Sequence, residues 1–257
     1  MDAAPAKTTE YLRGYLENPL FATQFPVEFL VPWLMTRIRN AYKPGGTLLD
    51  LGGGFSVTNA VLSRLGMKVY CADLMSEYFQ NSANFRNGME RQFEFLKQEG
   101  VTFIQCDLLE YDFGEFEPDS VDVVCSHHVF EHFHHSPKPV CDETMRILKP
   151  GGIFFLEIPN ALNALKRLKV LLGKTNYLPF DSYFQSDRWL GHIREYCLAD
   201  VEYLARYCAF SSYRIFGLNY YGTLYPKLRF SLPAVIVDRL LRVFPGACSA
   251  LYLKGIK

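Results

Sequence analysis

Two stretches of the chain hold residues whose types and spacing could do chemistry, and the first is a glycine-rich segment. Its sequence is Thr47-Leu-Leu-Asp-Leu-Gly-Gly-Gly-Phe-Ser56. The apolar residues predict a short buried strand, and the glycines let the backbone turn sharply and approach a ligand without a Cβ in the way. Apolar residues recur at helical spacing from about Ser56. A strand, a glycine turn and a helix N-terminus in succession predict a nucleotide-type ligand site.

The acid-x-Gly-x-Gly pattern of Asp50, Gly52 and Gly54 indicates which kind of ligand is bound. A dinucleotide fingerprint needs a third glycine where Val57 stands. A carboxylate just before the turn suits a ligand with a cationic amino group and suits a pyrophosphate poorly. A nicotinamide-dependent oxidoreductase is therefore disfavoured, and an ordinary glycine-rich loop is the structural alternative.

The second stretch, Ser126-His-His-Val-Phe-Glu-His-Phe-His-His135, holds five of the six histidines. A histidine could take a proton from a substrate hydroxyl, and we expect His132 or His128 to do so, with His192 as the alternative. His128-Val-Phe-Glu-His132 also matches H-x-x-E-H, a zinc motif that places two histidines on one helical face. A zinc hydrolase is disfavoured because the segment follows a parallel strand. His134 and His135 are expected to be solvated.

The elements that must position these residues alternate between strand and helix. Beyond the strand before Gly52, apolar strand patterns cover residues 67–72, 101–106, 120–125 and 153–158. Helical patterns lie between them, and Lys149-Pro-Gly-Gly152 predicts a tight turn before the fifth strand. This alternation implies a parallel, doubly wound sheet. Further on, we predict helices at 161–172, 198–207 and 232–244 and strands at 211–218 and 248–256.

The ordered set of motifs resembles a known family. Asp50-x-Gly-x-Gly resembles motif I of the class I S-adenosylmethionine (SAM) methyltransferases. The run from the fourth strand through Lys149-Pro-Gly-Gly152 resembles those of ubiquinone-pathway and related small-molecule methyltransferases, over about residues 45–160. The resemblance implies an α/β, Rossmann-like, doubly wound seven-stranded sheet, parallel with an antiparallel last strand. It also implies SAM as the cofactor, bound at the carboxyl ends of strands one and four.

The resemblance assigns cofactor residues along four strand ends. Asp73 follows Asp50 by 23 positions, and its carboxylate can accept from both hydroxyls of a ribose. A solvated strand-end aspartate is the alternative. An acid at position 107 approaches the adenine amino group in the family. The expected cofactor-binding residues are Asp50, Gly52, Gly53, Gly54, Asp73, Leu74, Asp107, Leu108, Ser126 and His127.

Substrate residues are expected in a segment before the helix at 198–207. Gly191-His-Ile-Arg-Glu-Tyr196 resembles the His-x-Arg-x-aromatic segment of many of these enzymes. We expect Arg194, Tyr196 and Tyr11 to contact the substrate. Arg194 could pair with a carboxylate or phosphate on it, or with an acid of the protein itself.

A metal is a further alternative that the resemblance raises. Ubiquinone-pathway enzymes carry Glu-x-x-Glu-His linked to a divalent ion, and this chain keeps Glu131 and His132 but has His128 in place of the first glutamate. An imidazole weakens the case for magnesium and leaves a softer metal open. We assign no metal ligand from the sequence.

Composition sets the remaining expectations. The formal net charge is zero and the pI is about 7.0, so no nucleic-acid partner is expected. No signal peptide or apolar run of spanning length is evident, and the seven cysteines are scattered, which favours a reducing, cytoplasmic location. The stretches 161–172 and 232–244 are amphipathic, so peripheral docking on a membrane and an apolar or lipid-linked substrate are also considered.

The sequence predicts a single methyltransferase domain over residues 1–257. Its expected parts are an N-terminal helical lid (1–44), a SAM-binding core (45–160), a substrate-side insertion (161–197) and a C-terminal helix and strands with an inserted segment (198–257). The predicted activity is methyl transfer from SAM to a small molecule, at oxygen. The alternative is a SAM-binding regulatory or scaffold protein of the same fold that has lost catalysis. The oligomeric state stays open.

Overall fold

Strands and helices alternate along the chain in a computed structural model, which describes residues 4–21, 27–74, 83–110, 113–186, 189, 191–219 and 232–257. The strands are β1 (Thr47–Leu51), β2 (Lys68–Asp73), β3 (Val101–Gln105), β4 (Val121–His127), β5 (Leu148–Pro159), β6 (Ser212–Leu218) and β7 (Ala250–Ile256). The helices are α1 (Ala4–Glu17), α2 (Val27–Ala41), α3 (Val57–Arg64), α4 (Ala83–Gln98), α5 (Lys138–Ile147), α6 (Ala164–Leu171), α7 (Phe180–Phe184), α8 (Leu198–Tyr207) and α9 (Leu232–Arg242).

The seven strands form one sheet in the order β3-β2-β1-β4-β5-β7-β6. β1 pairs in parallel with both β2 and β4, and β6 pairs with β7 in antiparallel register from Ser212↔Ile256 to Leu218↔Ala250. The predicted α/β sheet with an antiparallel last strand is confirmed. The strand order reverses at β1, and ligands of doubly wound sheets bind outside the carboxyl ends of the strands at such a point.

The chain divides into two units. The first comprises Met1–Ser126, Glu143–Phe155 and Lys257, and the second comprises His127–Asp142 and Leu156–Ile256. The first has its core in β1, β2 and β4, whose apolar side chains are almost fully buried, and the second in β7 and the end of β5. The single domain predicted over residues 1–257 stays a prediction.

The start of β5 differs from its prediction. The strand begins at Leu148, directly after α5 ends, so Lys149-Pro-Gly-Gly152 lies inside it and is not a separate turn. Gly151 has φ +76, and its N–H donates to the carbonyl of Lys257 at 3.0 Å, while Lys257 N–H donates to Gly152 at 3.0 Å. Glycine is needed here because few other residues adopt a positive φ.

No helix within the described ranges is both long and apolar enough to cross a membrane. The amphipathic segments predicted at 161–172 and 232–244 are helical, as α6 and α9.

Asp122 on β4 ties together three parts of the first unit. Its Oδ2 accepts from the backbone N–H of Thr47 at 2.9 Å and from Lys149 Nζ at 2.8 Å, and Lys43 Nζ lies 3.2 Å from Oδ1. Burial by itself would raise the pKa of Asp122, but the hydrogen bonds from Lys149, Thr47 and Lys43 outweigh it and lower the pKa to about 2. The ionised carboxylate therefore stabilises the folded state.

We expect Asp122→Asn to lower the free energy of unfolding by about 1–2 kcal/mol at pH 7. Because the folded-state pKa lies below the unfolded value, this stabilisation is present above about pH 4 and is lost as the pH falls towards 2. Urea unfolding at several pH values checks it. Asp119→Asn, which breaks a more exposed pair with Lys257, is the control and should cost under about 1 kcal/mol. Equal losses in both variants, or a pH-independent loss, would contradict the assignment.

Candidate active site

The glycine turn after β1 is tied to the end of β2. Gly52 has φ +70, and its N–H donates to the carbonyl of Ala72 at 2.7 Å. Gly54 has φ +50, and its N–H donates to Asp73 Oδ2 at 2.9 Å. Both glycines adopt a conformation that side chains disfavour, so the turn depends on them. These hydrogen bonds fix the position of the turn relative to the Asp73 carboxylate.

Asp50 sits behind this turn and requires Gly53. Its side chain is buried, and Oδ2 accepts from Asn59 Nδ2 at 2.8 Å, while Cys125 Sγ donates to Oδ1 at 3.3 Å. A Cβ on Gly53 would lie 2.6 Å from the Asp50 carboxyl carbon, which real Cβ atoms essentially never do. The middle glycine is therefore fixed by the carboxylate, and Asp50 holds the turn from within.

Asn59 on α3 is a residue of the site that the sequence reasoning missed. It is buried, and its amide is the hydrogen-bond partner of Asp50. The sequence did carry a signal: Asn59 is a polar residue nine positions after Asp50, beside the apolar helical face that begins at Val57. A buried amide at such a position needs a partner, and an acid in the preceding strand is one.

Two cysteines next to this carboxylate are unreactive. Burial, then the nearby Asp50 carboxylate, raises the pKa of both Cys71 and Cys125. Both thiols therefore stay protonated, which agrees with their predicted role as small buried hydrophobes.

The other predicted cofactor residues lie after β2, after β3 and in β4. Asp73 and Leu108 are buried, and Leu74 is half-buried. Asp107 Oδ1 accepts from the N–H of Leu109 at 2.9 Å, so this carboxylate closes its own turn. The buried Ser126 hydroxyl has no hydrogen-bond partner among the described residues.

The first unit brings nine of the ten predicted cofactor residues to the ends of four neighbouring strands; His127 falls in the second unit. Two buried carboxylates, a turn with no room for a Cβ at Gly53 and an unsatisfied buried hydroxyl fit the cofactor that the sequence predicts. The pattern agrees with binding at the carboxyl ends of β1 and β4.

In the second unit, Glu157 on β5 is a buried acid with three side-chain partners, and the sequence reasoning also missed it. Its side chain is fully buried and faces His127 Nδ1 at 3.1 Å, His128 Nε2 at 3.1 Å and the Tyr252 hydroxyl at 2.7 Å. The signal was a single acid in the apolar strand Ile153-Phe-Phe-Leu-Glu-Ile158. A buried carboxylate needs such donors, so Glu157 orients both histidines.

His128 departs from the conformation that the zinc motif requires. It has φ +58, and the only helical turn nearby is a 3₁₀ turn at Phe130–His132. His128 and His132 are therefore not on one helical face, and that part of the zinc interpretation is wrong. Instead, His128 Nδ1 lies 3.3 Å from Glu131 Oε1, so its ring lies between Glu131 and Glu157. A left-handed histidine is a strained conformation of the kind found at functional sites.

Glu131, His132 and His192 form a second cluster in this unit. Each offers a ligand atom within 4.8 Å of the others, and the rings of the two histidines meet edge to face at 5.1 Å. Glu131 is fully buried, yet neither carboxylate oxygen forms a hydrogen bond with any described residue. The His128 ring at 3.3 Å is close to one oxygen but forms no hydrogen bond with it, and a buried carboxylate without hydrogen bonds is costly, so a cation would fit this position. One carboxylate and two imidazoles suit zinc, manganese or iron better than magnesium.

His192 and Glu195 form a hydrogen-bonded pair. His192 Nδ1 lies 2.9 Å from Glu195 Oε1, and Nε2 lies 3.9 Å from Glu131 Oε1. Burial would raise the pKa of Glu195, but hydrogen bonds from His192 and Lys166 lower it overall. The Glu195 carboxylate therefore holds the proton on Nδ1 and leaves Nε2 as the acceptor.

The predicted substrate residues divide between the two units. Arg194 Nη2 donates to Asp200 Oδ1 at 3.2 Å, the internal pairing that the sequence left open. Tyr196 is buried; its hydroxyl donates to the carbonyl of Phe130 at 3.4 Å, and burial raises its pKa to about 12. Tyr11 lies in the first unit, with the Arg64 guanidinium 5.0 Å from its ring.

Two further histidines of the segment lie where expected. His134 and His135 are exposed, in agreement with the prediction that they are solvated.

The chain is similar to known methyltransferases. Residues 49–156 match a family model described as a methyltransferase domain. No curated protein sequence matches. Phosphoethanolamine N-methyltransferase 2 of Haemonchus contortus, solved with SAM, is 19% identical with a TM-score of 0.55, and the match covers 97% of this chain and 56% of that chain. This chain thus spans little more than half the length of that enzyme.

Two other solved structures match over most of their length. A SAM-dependent methyltransferase from Archaeoglobus fulgidus is 16% identical with a TM-score of 0.58, covering 89% of this chain and 93% of that one. The cyclopropane synthase MmaA2 from Mycobacterium tuberculosis is 15% identical with a TM-score of 0.56, covering 94% and 87%. At these identities the likeness is one of fold.

We expect Gly53→Ala to disrupt the turn because the new Cβ would overlap the Asp50 carboxylate. The variant should lose about 2–3 kcal/mol of stability and bind S-adenosylhomocysteine on the order of tenfold more weakly or worse. Urea unfolding and calorimetric titration check this. Gly14→Ala, at an open position in α1, is the control and should be neutral or up to about 1 kcal/mol more stable. Wild-type binding by Gly53→Ala would show that the turn tolerates a side chain.

Proposed function

We propose that this chain is a class I SAM-dependent methyltransferase that methylates a small-molecule acceptor at oxygen; the match of residues 49–156 to a methyltransferase-domain model supports the transferase assignment. The observation that supports an oxygen acceptor is the His192–Glu195 pair, with Nδ1 at 2.9 Å from Oε1. A hydroxyl must lose its proton as it is methylated, and a histidine oriented by a carboxylate accepts protons well.

SAM is the cofactor of this domain, and when bound it supplies an electrophilic methyl group. Gly52 and Gly54 would let the backbone approach it, and Asp73 would accept from the ribose hydroxyls. Asp50 would act on the cofactor indirectly, because its carboxylate accepts a hydrogen bond from Asn59 and packs directly against Gly53. Its proposed role is to keep the turn shaped for the ligand.

The proposed reaction is an in-line displacement that needs no covalent enzyme intermediate. The acceptor oxygen forms its bond to the methyl carbon as the sulfur–carbon bond breaks, and S-adenosylhomocysteine is the other product. The hydroxyl proton passes to Nε2 of His192. Glu195 stabilises the imidazolium that results, since its own pKa is lowered by His192 and Lys166 despite burial.

The geometry favours His192 over His128 as the base. Both ring nitrogens of His128 face buried carboxylates, at 3.3 and 3.1 Å, so neither is available to a substrate. His128 and Glu157 would instead keep the segment after β4 in shape. His132, in edge contact with His192, would position that ring.

A divalent ion is the second candidate for activating the acceptor, on the evidence of Glu131. Glu131, His132 and His192 would hold it, and it would supply Lewis-acid activation of the hydroxyl. In that case His192 would be a ligand and not a base. The two possibilities differ in their response to a chelator.

We propose an apolar or lipid-linked small molecule as the acceptor class. The second unit exposes many large apolar side chains outside its core, among them Leu171 and Phe184. Incubation with methyl-labelled SAM and a panel of phenols, aliphatic alcohols and their lipid-linked forms tests it: methyl ethers are expected. Turnover only with amines or carbon acceptors would overturn the oxygen assignment, and SAM binding without turnover on any acceptor would indicate a regulatory protein.

Asp73→Ala should abolish measurable binding of S-adenosylhomocysteine, because it removes both the partner of Gly54 N–H and the acceptor for the ribose. Calorimetric titration checks this. Asp181→Ala, an exposed acid in α7, is the control and should bind as the wild type does. Equal affinities for all three proteins would remove Asp73 from the cofactor site.

His192→Gln should lower kcat by about 10²- to 10⁴-fold while leaving the affinity for S-adenosylhomocysteine unchanged. Glu195→Gln should cause a smaller loss, because it only misorients the imidazole. His134→Gln, at an exposed histidine, is the control. The measurement is labelled-methyl transfer to the best acceptor of the panel.

The same assay with EDTA distinguishes general-base catalysis by His192 from activation of the acceptor by a divalent ion. Activity that survives EDTA supports His192 as the base. Activity that EDTA removes and Mn²⁺ or Zn²⁺ restores would replace the base by a metal on Glu131, His132 and His192.

A further inference from the structure

We propose that residues 161–184 and 236–244 of the second unit form a surface that docks on anionic membranes. Of the twenty large hydrophobic side chains exposed among the described residues, sixteen lie in these two segments. They are Leu162, Leu165, Leu168, Val170, Leu171, Leu172, Tyr177, Leu178, Phe180, Tyr183, Phe184, Ile236, Val237, Leu240, Val243 and Phe244. Such a concentration marks an interaction surface, since scattered exposed hydrophobics are normal but clusters are not.

The first segment contacts the rest of its unit near the start of α6 and at Tyr183, whose ring meets that of Trp189 edge to face at 5.3 Å. No residue of α6 or α7 is buried, and Leu171 is 83% exposed. Near the start of α6, Asn163 caps the helix by accepting from Lys166 N–H at 3.0 Å, and the Lys166 ammonium pairs with Glu195. Packing within the unit therefore leaves the apolar side chains of α6 and α7 uncovered.

The two segments adjoin one another. Arg167 Nη2 in α6 donates to the carbonyl of Gly246 at 3.2 Å, in the turn that follows Phe244. The exposed side chains of Val243 and Phe244 thus lie next to the base of α6. A single membrane surface can therefore contact both segments.

The charge of the first segment indicates which kind of partner binds this surface. Residues 161–184 contain four basic residues, Lys166, Arg167, Lys169 and Lys174, against one acid, Asp181, in a chain whose net charge is zero. Lys169 and Lys174 are exposed, and neither forms an ion pair with a described residue. Basic residues interleaved with leucine and aromatic side chains suit an interface rich in anionic lipid.

A second copy of the chain fits this surface less well. A two-fold symmetric contact places the same patch on both partners, so the lysines of 161–180 would face lysines. In 236–244 the one acid, Asp238, is already paired with Arg242 at 2.6 Å and accepts from Asn219 at 2.8 Å. Asp181 in α7 is the one further acid of the surface, so its cations outnumber its acids, whereas lipid phosphates can meet them.

The test is co-flotation of the full chain with phosphatidylcholine vesicles, with and without phosphatidylglycerol. We expect binding to the phosphatidylglycerol vesicles that falls as salt rises, because surface charge is screened. Leu171→Glu/Leu172→Glu/Phe184→Glu and, separately, Lys169→Glu/Lys174→Glu should each reduce the bound fraction on the order of tenfold or more. The wild type must float for the proposal to stand.

As matched controls, the same kinds of substitution are made at exposed residues outside the two segments. Tyr203→Glu/Tyr213→Glu and Lys68→Glu/Arg206→Glu should float as the wild type does. Binding of S-adenosylhomocysteine should be unchanged in every variant, which shows folding and separates this inference from the proposed reaction. Absence of co-flotation by the wild type, or unaltered flotation of the segment variants, would overturn it. A wild-type dimer in light scattering that only the segment variants break, without vesicle binding, would assign the surface to a second copy.

Discussion

The buried carboxylate of Asp50 is the constraint on which the cofactor end of the sheet depends. It is held by Asn59 and Cys125, and it occupies the space where a side chain at position 53 would be. The turn can therefore form only with glycine there, and Gly54 then points its N–H at Asp73. A single acid, buried because its hydrogen bonds are satisfied, thus shapes the backbone that would receive the ligand.

The second unit repeats this use of buried acids. Glu157 orients His127 and His128, and Glu131 faces His128 and His192. Histidines held by carboxylates keep defined tautomers, so their free nitrogens have defined roles. On the proposed function, His192, paired with Glu195, is the ring that accepts the substrate proton. The apolar surface on α6 and α7 is a separate feature of the same unit, and the lysines beside it are the basis for proposing anionic lipid as its partner.

Much of the fold could be predicted because it rests on local patterns. Apolar runs, glycine turns and helical periodicity located the strands and most helices, and the family resemblance supplied the seven-stranded sheet with an antiparallel last strand. The errors have physical causes. Lys149-Pro-Gly-Gly152 joined β5 because Lys257 pairs with it from the far end of the chain. His128 left the helical path because two buried carboxylates hold its ring, and a spacing rule for helices does not include them.

The sequence by itself determined the class of sheet, the glycine turn and the acids that flank it, since strand period and glycine conformation are properties of neighbouring residues. Only the tertiary structure decided which polar groups meet. Asn59 with Asp50 and Glu157 with Tyr252 are brought together from different elements, over separations of 9 and 95 residues. It also decided that α6 is uncovered, because amphipathicity states that a helix has an apolar face but not whether the protein or something else will bury it.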